Sequence, residues 1–308
     1  MTTRRIRAFA LAAILAIGGA LTSIAAQSGD TLRIMSYNIL NGKQIDGQTF
    51  NFAGQVAVIR RINPDIATID EVDSLTTRSQ GHFVLREYAE ELGMLYFYSP
   101  AIDFQGGKYG IGALAHERPI AVKHISLPGR EEARTLLILE YPRFVFAATH
   151  FSLTAEDQYL SVLRVRREAA TYNKPFFLAG DLNCTPESSA GKALARHFTL
   201  LTNPQEHTFP ADVPTATIDY IALYKNDQAA EVELLRSGVA NEPRASDHRP
   251  VFADVRFSSP TAINGVRATA VPAGNEEIFS IDGVRIVGNR ESLPKGIYVC
   301  SGRKILVR

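Results

Sequence analysis

The sequence is poor in cysteine. Its 308 residues contain two, Cys184 and Cys300, and no Cys or His pair has the spacing of a structural zinc module. Nothing in the separation of the two cysteines marks a disulfide framework, so two unpaired thiols are expected. A basic surplus is also lacking. Residues 27–258 carry 23 Lys and Arg against 28 Asp and Glu, a net charge of −5. Proteins that grip long nucleic acid usually gain affinity by neutralising phosphates with a basic surface, so this balance argues against a nuclease. Beyond residue 26 no apolar run is long enough to span a bilayer, and there is neither an internal repeat nor a low-complexity tract.

What is present begins at the N-terminus. Arg4, Arg5 and Arg7 form a basic start, Ala8 to Ile17 an apolar run, and Ile24-Ala25-Ala26 a small-residue cleavage site. Residues 1–26 therefore read as a removable signal peptide, and the protein as exported to the periplasm, the cell surface or the medium. An uncleaved anchor is the other reading, but Gly18, Gly19, Thr22 and Ser23 shorten the apolar stretch below the roughly 20 residues of a spanning helix.

From Leu32 to Phe257, short β-branched or aromatic runs alternate with polar turns. Strands are predicted at Leu32–Ile39, Ile66–Asp70, Tyr109–Ala115, Thr135–Glu140, Phe144–His150, Phe176–Ala179, Asp219–Leu223 and Val251–Phe257. Helices are predicted at Phe52–Ile62, Val84–Leu92, Glu156–Tyr172 and Ser188–His197. Strands often follow one another directly, which implies largely antiparallel sheets with helices outside, an α+β layered fold. The composition changes near Ser259 to a Ser-, Pro-, Ala- and Gly-rich linker. Beyond it, Asp282-Gly283 and Ser301-Gly302 are each flanked by short apolar runs, which reads as two small β-hairpins in residues 259–308.

The residues able to do chemistry gather at predicted strand ends, where sites are built on rigid supports. Gly180-Asp181-Leu182-Asn183 follows the run Pro175 to Ala179. Asp181 could orient a water or protonate a leaving oxygen, and Asn183 could hold a phosphoryl oxygen; both residues are also common turn formers. Asp247 and His248 lie in Ser246-Asp247-His248-Arg249-Pro250 and share a site only if this segment is a loop, as Pro250 encourages. Asp219 sits within the apolar Thr217-Ile218-Asp219-Tyr220-Ile221, where an unpaired carboxylate is costly. It is the candidate to orient His248. His150 ends the strand before Phe151 and could donate to phosphate. Glu71 follows Ile66–Ile69, and Asn38 ends the run from Leu32; one carboxylate with amide and water oxygens is a set that Mg²⁺ accepts.

In order along the chain stand SYNILNG, DEVD, GGKYGIGALA, ATHF, GDLN, TIDYI and SDHRP. This series, from Thr31 to Phe257, resembles the ordered motifs of the endonuclease/exonuclease/phosphatase superfamily of DNase I-like enzymes. The resemblance implies a four-layered α/β sandwich, two packed mixed β-sheets flanked by helices, with the site at one rim. It implies a phosphoester substrate, hydrolysis by in-line water attack, and Mg²⁺ or Mn²⁺ as cofactor. Glu71 would bind the metal with Asn38 and Asp247, while Asp181 and Asn183 position water and phosphate. His248, oriented by Asp219, would be base or phosphate-binding imidazole, and His150 would donate to the phosphoryl oxygens. Arg134 matches a recurrent arginine of small bacterial members that would anchor the substrate or the metal-site acids, and is otherwise a surface ion pair; Tyr109 lines the pocket or packs. An extracellular nuclease is the rival within the class, and a catalytically silent binding module the rival outside it.

The sequence also departs from the pattern. Asp70 stands where Gln often precedes the metal glutamate, and Gly112 and Ala115 stand where Asn and Ser are common. The tail, through Asp282-Gly283 and Leu293-Pro294-Lys295-Gly296-Ile297-Tyr298, resembles a type IX secretion sorting domain, which implies secretion machinery as a partner.

Overall fold

The computed structural model describes residues 31–258 and, beyond them, 278–280, 285–286, 293, 296–300 and 303–307. The chain divides into two units, one through Ser259 and one from Pro260. In the first, the order is β1 (Thr31–Asn38), α1 (Phe52–Ile62), β2 (Ile66–Ser74), α2 (Val84–Leu92), β3 (Leu95–Phe104), β4 (Gly107–Ala115), β5 (Ala121–Leu127) and β6 (Arg134–Glu140). It continues through β7 (Val145–Thr149), α3 (Ala155–Ala169), β8 (Phe176–Asp181), α4 (Ser189–His197), β9 (Phe198–Leu200), β10 (Asp219–Tyr224), β11 (Val232–Val239) and β12 (Val251–Phe257).

One six-stranded sheet has the order β11-β12-β1-β2-β4-β3, the other β5-β6-β7-β8-β10-β9. Each is mixed, with a single parallel pair, β1 beside β2 and β7 beside β8. The central strands read as continuous apolar runs because both of their faces are buried. In β8, Phe177 and Ala179 enter the core between the sheets, while Phe176 and Leu178 pack under α3 and α4. Strand β1 divides its residues the same way, Leu32 and Ile34 between the sheets and Met35 and Tyr37 under α1 and α2. Helix, sheet, sheet and helix thus form the four layers that the sequence implies.

Local signals account for the helices. At the start of α1, the Asn51 side chain accepts from the Gly54 N–H, and Asn63 closes the helix in the left-handed conformation. Its buried Val56, Ile59 and Ile62 lie on one face, and each such side chain contributes about 1.5–3 kcal/mol on leaving water. In α3, Glu156 and Asp157 stand in the first turn and Arg166 and Arg167 in the last, matching the helix dipole.

Strands β3, β5, β9 and β11 lie outside the sequence expectation. All four are sheet edges, where one row of backbone groups is unpaired and the apolar pattern is weakest. Pro100 sits at a register shift in β3, a position where its missing N–H is tolerated. Leu234 and Leu235 of β11 are both exposed.

The second unit holds β13 (Ile278–Ser280), β14 (Arg285–Ile286), β15 (Gly296–Cys300) and β16 (Arg303–Val307) in the order β14-β13-β15-β16. Antiparallel pairing of β13 with β14 and of β15 with β16 makes two hairpins, and β13 pairs with β15 to join them. The segment read as a signal peptide, most of the linker and the turns at 282–283 and 301–302 lie outside the described residues.

Candidate active site

Strand polarity gathers the site. The parallel pairs β1–β2 and β7–β8 end at one rim, and β10 and β12, antiparallel to β8 and β1, begin there. Asn38 closes β1, Asp181 closes β8, Asp219 opens β10, and His150 follows β7 directly. Asp247 and His248 stand in the loop before β12. The Ser246 hydroxyl ties that loop to β1 by donating to the Asn38 carbonyl at 2.8 Å.

Glu71 is not beyond the end of its strand, as the sequence suggests. It lies inside β2, which continues to Ser74, at a register shift between Ile69 and Val72. There it adopts φ 59°, a conformation costly for a residue other than glycine. The bulge re-aims its side chain towards the rim.

Asn38 Nδ2 donates to Glu71 Oε1 at 3.0 Å and to Asp181 Oδ2 at 3.1 Å, linking the two sheets. The other Glu71 oxygen accepts from Asn41 Nδ2 at 3.1 Å. Burial, with Asp247 nearby, raises the Glu71 pKa. Among the described residues no Lys, Arg or His forms an ion pair with Glu71. An inward carboxylate met only by neutral amides, with lone pairs left on both oxygens, fits a bound hard cation.

Across the rim, His248 Nδ1 donates to Asp219, at 3.0 Å to the nearer oxygen. Its Nε2 stands 3.6 Å from Asp181 Oδ2. Burial disfavours the imidazolium, but the charges of Asp219 and Asp181 outweigh it, so the His248 pKa is raised well above its ordinary value. The two carboxylates therefore favour the imidazolium over the free base. Asp181 moves upward too, mainly through burial, with Asp219 adding to it and His248 opposing. Atoms of Asp181, Asp219 and His248 lie within 4.8 Å of one another, a cluster that could also hold a metal ion.

His150 behaves in the opposite way. Burial, then Arg134 and His248, pushes its pKa well below the ordinary value. Its Nε2 accepts from Asn183 Nδ2 at 2.9 Å, and the same amide donates to the Phe151 carbonyl at 3.0 Å, which fixes the amide's orientation. The donor role expected for His150 is therefore not the resting arrangement. Asn183 has φ 49°, and its N–H donates to Asp181 Oδ1.

Arg134 is buried, not at the surface, and pairs with Glu132 at 3.2 Å. It lines a cavity of about 10 Å³ with His150 and Tyr109, which places both expected substrate contacts beside the site.

Other residues of the site escape a reading by sequence. Asn41 holds Glu71, and the Phe209 ring lies 4.8 Å from the His248 ring. Asp70 reaches across to the second sheet and accepts the Asp181 N–H at 2.8 Å, so the acid that replaces glutamine supports the site. Burial, with Asp181 and Asp219 near, raises the Asp70 pKa strongly. Asn41 stood in the turn of SYNILNG, where an Asn before Gly was a usable signal; Phe209 had none.

The same fold occurs in solved structures of low identity. A protein described as endonuclease/exonuclease/phosphatase from Beutenbergia cavernae matches with a TM-score of 0.58 and 20% identity over 75% of this chain and 72% of its own. A Bacteroides thetaiotaomicron mannosyl-6-phosphatase gives 0.59 and 16%, over 73% of this chain and 100% of its own. The human Nocturnin catalytic domain with bound sulfate anion gives 0.56 and 17%, over 74% and 94%. No curated protein matches the chain by sequence. The family profile described as Endonuclease/Exonuclease/phosphatase family spans residues 35–248, from the strand that delivers Asn38 to His248 itself, and the chain therefore belongs to that family of phosphoester hydrolases.

Proposed function

We propose that the chain is an exported phosphoesterase that uses Mg²⁺ or Mn²⁺ to hydrolyse phosphomonoester or phosphodiester bonds by in-line attack of water. The observation that carries this reading is the line Asp219–His248–Asp181, a charged imidazole held between two buried carboxylates. Glu71 and Asp247 would hold the cation, with Asn38 helping by orienting the Glu71 carboxylate through its amide nitrogen. When bound, the cation neutralises charge on the phosphate and on the departing oxygen.

The protein's own groups do the rest. Asp219 fixes the His248 ring and stabilises its charge, so that Nε2–H faces the reacting phosphate. The Asn183 amide, whose two N–H groups are held at rest by His150 and the Phe151 carbonyl, would turn the one now on His150 to a phosphoryl oxygen. Asp181, whose raised pKa suits a base near neutrality, accepts the proton of the attacking water. The new P–O bond forms to water while the bond to the leaving oxygen breaks on the opposite side. Preorganised donors around the phosphoryl oxygens stabilise the charge that develops there.

Substrates are sugar phosphates, inositol phosphates or lipid headgroups rather than long nucleic acid, since the net charge of −5 over residues 27–258 disfavours an extended polyanion. Export rests on the basic and apolar pattern of residues 4–26. Among the described residues no helix is long and apolar enough to cross a membrane. The tail serves as the address read by the secretion machinery.

Hydrolysis of bis-p-nitrophenyl phosphate, plasmid DNA, RNA, sphingomyelin, inositol phosphates and sugar phosphates, with and without Mg²⁺, tests the reading. Cation-dependent turnover that EDTA abolishes and Mg²⁺ restores supports it, and turnover that survives EDTA overturns the cation requirement. Preferred cleavage of DNA or RNA would reassign the protein as a nuclease, and silence throughout would favour a binding module.

A further inference from the structure

The loop after β2 contains a guanidinium that the mechanism above does not use. Asp73 and Tyr109 are directly opposed on β2 and β4, so their side chains share a face. Arg78 covers both. Its Nε and Nη2 donate to the two oxygens of Asp73 at 2.9 and 2.8 Å. Its guanidinium carbon lies 5.1 Å from the centre of the Tyr109 ring and 4.5 Å from that of Phe104. The loop is built to keep it there. The Thr76 hydroxyl donates to Asp73 at 3.0 Å, and the Thr77 N–H and hydroxyl both donate to the Gln105 carbonyl at the tip of the β3–β4 hairpin.

Neutralising Asp73 alone would call for a buried arginine. Asp73 is wholly buried, yet the Arg78 side chain remains 27% exposed. Nη1 makes no hydrogen bond among the described residues, although a guanidinium has five N–H donors. Tyr109 also lines the cavity that holds Arg134 and His150, and Arg78 and Glu71 each act on the other's charge, so the guanidinium lies beside the site. Of the neighbouring basic groups, Arg134 pairs with Glu132 at 3.2 Å while its buried Nε has no partner among the described residues, and burial lowers the His150 pKa.

We propose that Arg78 is a substrate-contacting specificity residue, whose fixed guanidinium takes an anionic oxygen of a terminal phosphate through Nη1 and favours phosphomonoesters over diesters. A monoester, with a second pKa of about 6, carries nearly two negative charges at neutral pH and three unesterified oxygens. A diester has one charge and two such oxygens. Stacking and the Asp73 fork fix the guanidinium in advance, so little side-chain freedom remains to be lost on binding. This deepens the phosphoesterase reading and rests on it.

The test compares p-nitrophenyl phosphate with methyl p-nitrophenyl phosphate, which share a leaving group, together with the shift in melting temperature produced by inorganic phosphate. Arg78→Ala is expected to lower kcat/KM for the monoester about 10- to 100-fold more than for the diester, and to lose the phosphate-induced shift. Because the alanine variant leaves Asp73 buried without its partner, Arg78→Lys is measured beside it. Lysine keeps the charge and the fold but not the fork, so it should recover only part of the preference. Equal losses on both esters, or a phosphate shift that survives in Arg78→Ala, would overturn the assignment. Should the wild-type protein hydrolyse neither ester yet show a phosphate shift that depends on Arg78, the anion contact stands and the phosphoesterase reading falls.

Discussion

Asp181 and Asp219 are cross-strand partners, directly opposed where β8 ends and β10 begins. Two carboxylates so placed repel each other unless a cation or a proton stands between them. His248 supplies the cation, at 3.0 Å from Asp219 and 3.6 Å from Asp181. The arrangement sets the charge of the resting site.

Asp219→Asn retains the size of the side chain but removes the charge that stabilises the imidazolium. Turnover is expected to fall by roughly 100-fold or more, and His248→Ala should cost at least as much. Steady-state kinetics on any substrate that the wild-type protein cleaves will decide; an Asp219→Asn variant within tenfold of wild type would remove Asp219 from the mechanism.

The two histidines of the site should have their pKa values shifted in opposite directions in the cation-free protein. His248, with its pKa raised by Asp219 and Asp181 against the pull of burial, stays charged through pH 7. Below the unfolded histidine pKa its contribution to stability is fully present, and it is lost as the pH rises through the folded value. His150, lowered by burial, stays neutral well below pH 6.5, and its contribution is lost as the medium is made acid. Imidazole NMR shifts followed from pH 4 to pH 9 report both; a neutral His248 at pH 6 would contradict this account.

Gly180 cannot be replaced. A Cβ there would lie 1.7 Å from the Thr149 carbonyl oxygen on β7, and the nearest atoms are all Thr149 backbone, which leaves nothing flexible to give way. Gly180→Ala should destabilise the protein by roughly 3 kcal/mol or more. Urea denaturation followed by circular dichroism measures the loss, and an unchanged midpoint would show that β7 and β8 separate more easily than their pairing implies.

Acid tolerance is expected to depend on Glu131. Its carboxylate accepts from the Ser152 hydroxyl, the Leu153 N–H and the Thr154 hydroxyl ahead of α3. Burial works against it, but these bonds prevail and lower its pKa to about 2. A depressed acid stabilises above its unfolded pKa, near 4.5, and loses that effect as the pH falls through the folded value. Glu131→Gln should therefore flatten the pH dependence of the urea midpoint between 4.5 and 2; identical slopes in the two proteins would dismiss the group.

Sequence made the rigid part of this molecule readable. Strands such as β8 and β12 are buried on both faces or alternate cleanly, and the side chains at their ends could be placed at a common rim before any geometry was known. Edge strands such as β3 were hidden because half-exposed residues and Pro100 blur the period of two. Asn41 stood in SYNILNG, a motif already singled out, whereas Arg78 stood five residues beyond DEVD in none. What made them part of the site was a left-handed turn at φ 56° in one case and a fork onto Asp73 in the other, and neither leaves a periodic trace. Glu71 was found, but its bulge was not, since nothing in Asp70-Glu71-Val72 reports a change of backbone hand.

Asn38 touches Glu71 on its own sheet and Asp181 on the other through a single amide nitrogen, so the two halves of the sandwich meet within the site. No fragment containing one sheet can hold a working half. Fragment complementation should therefore be all or nothing, and in denaturant the loss of turnover should not run far ahead of the separation of the sheets. Enzyme activity in this protein doubles as a gauge of whether the two sheets are still in register.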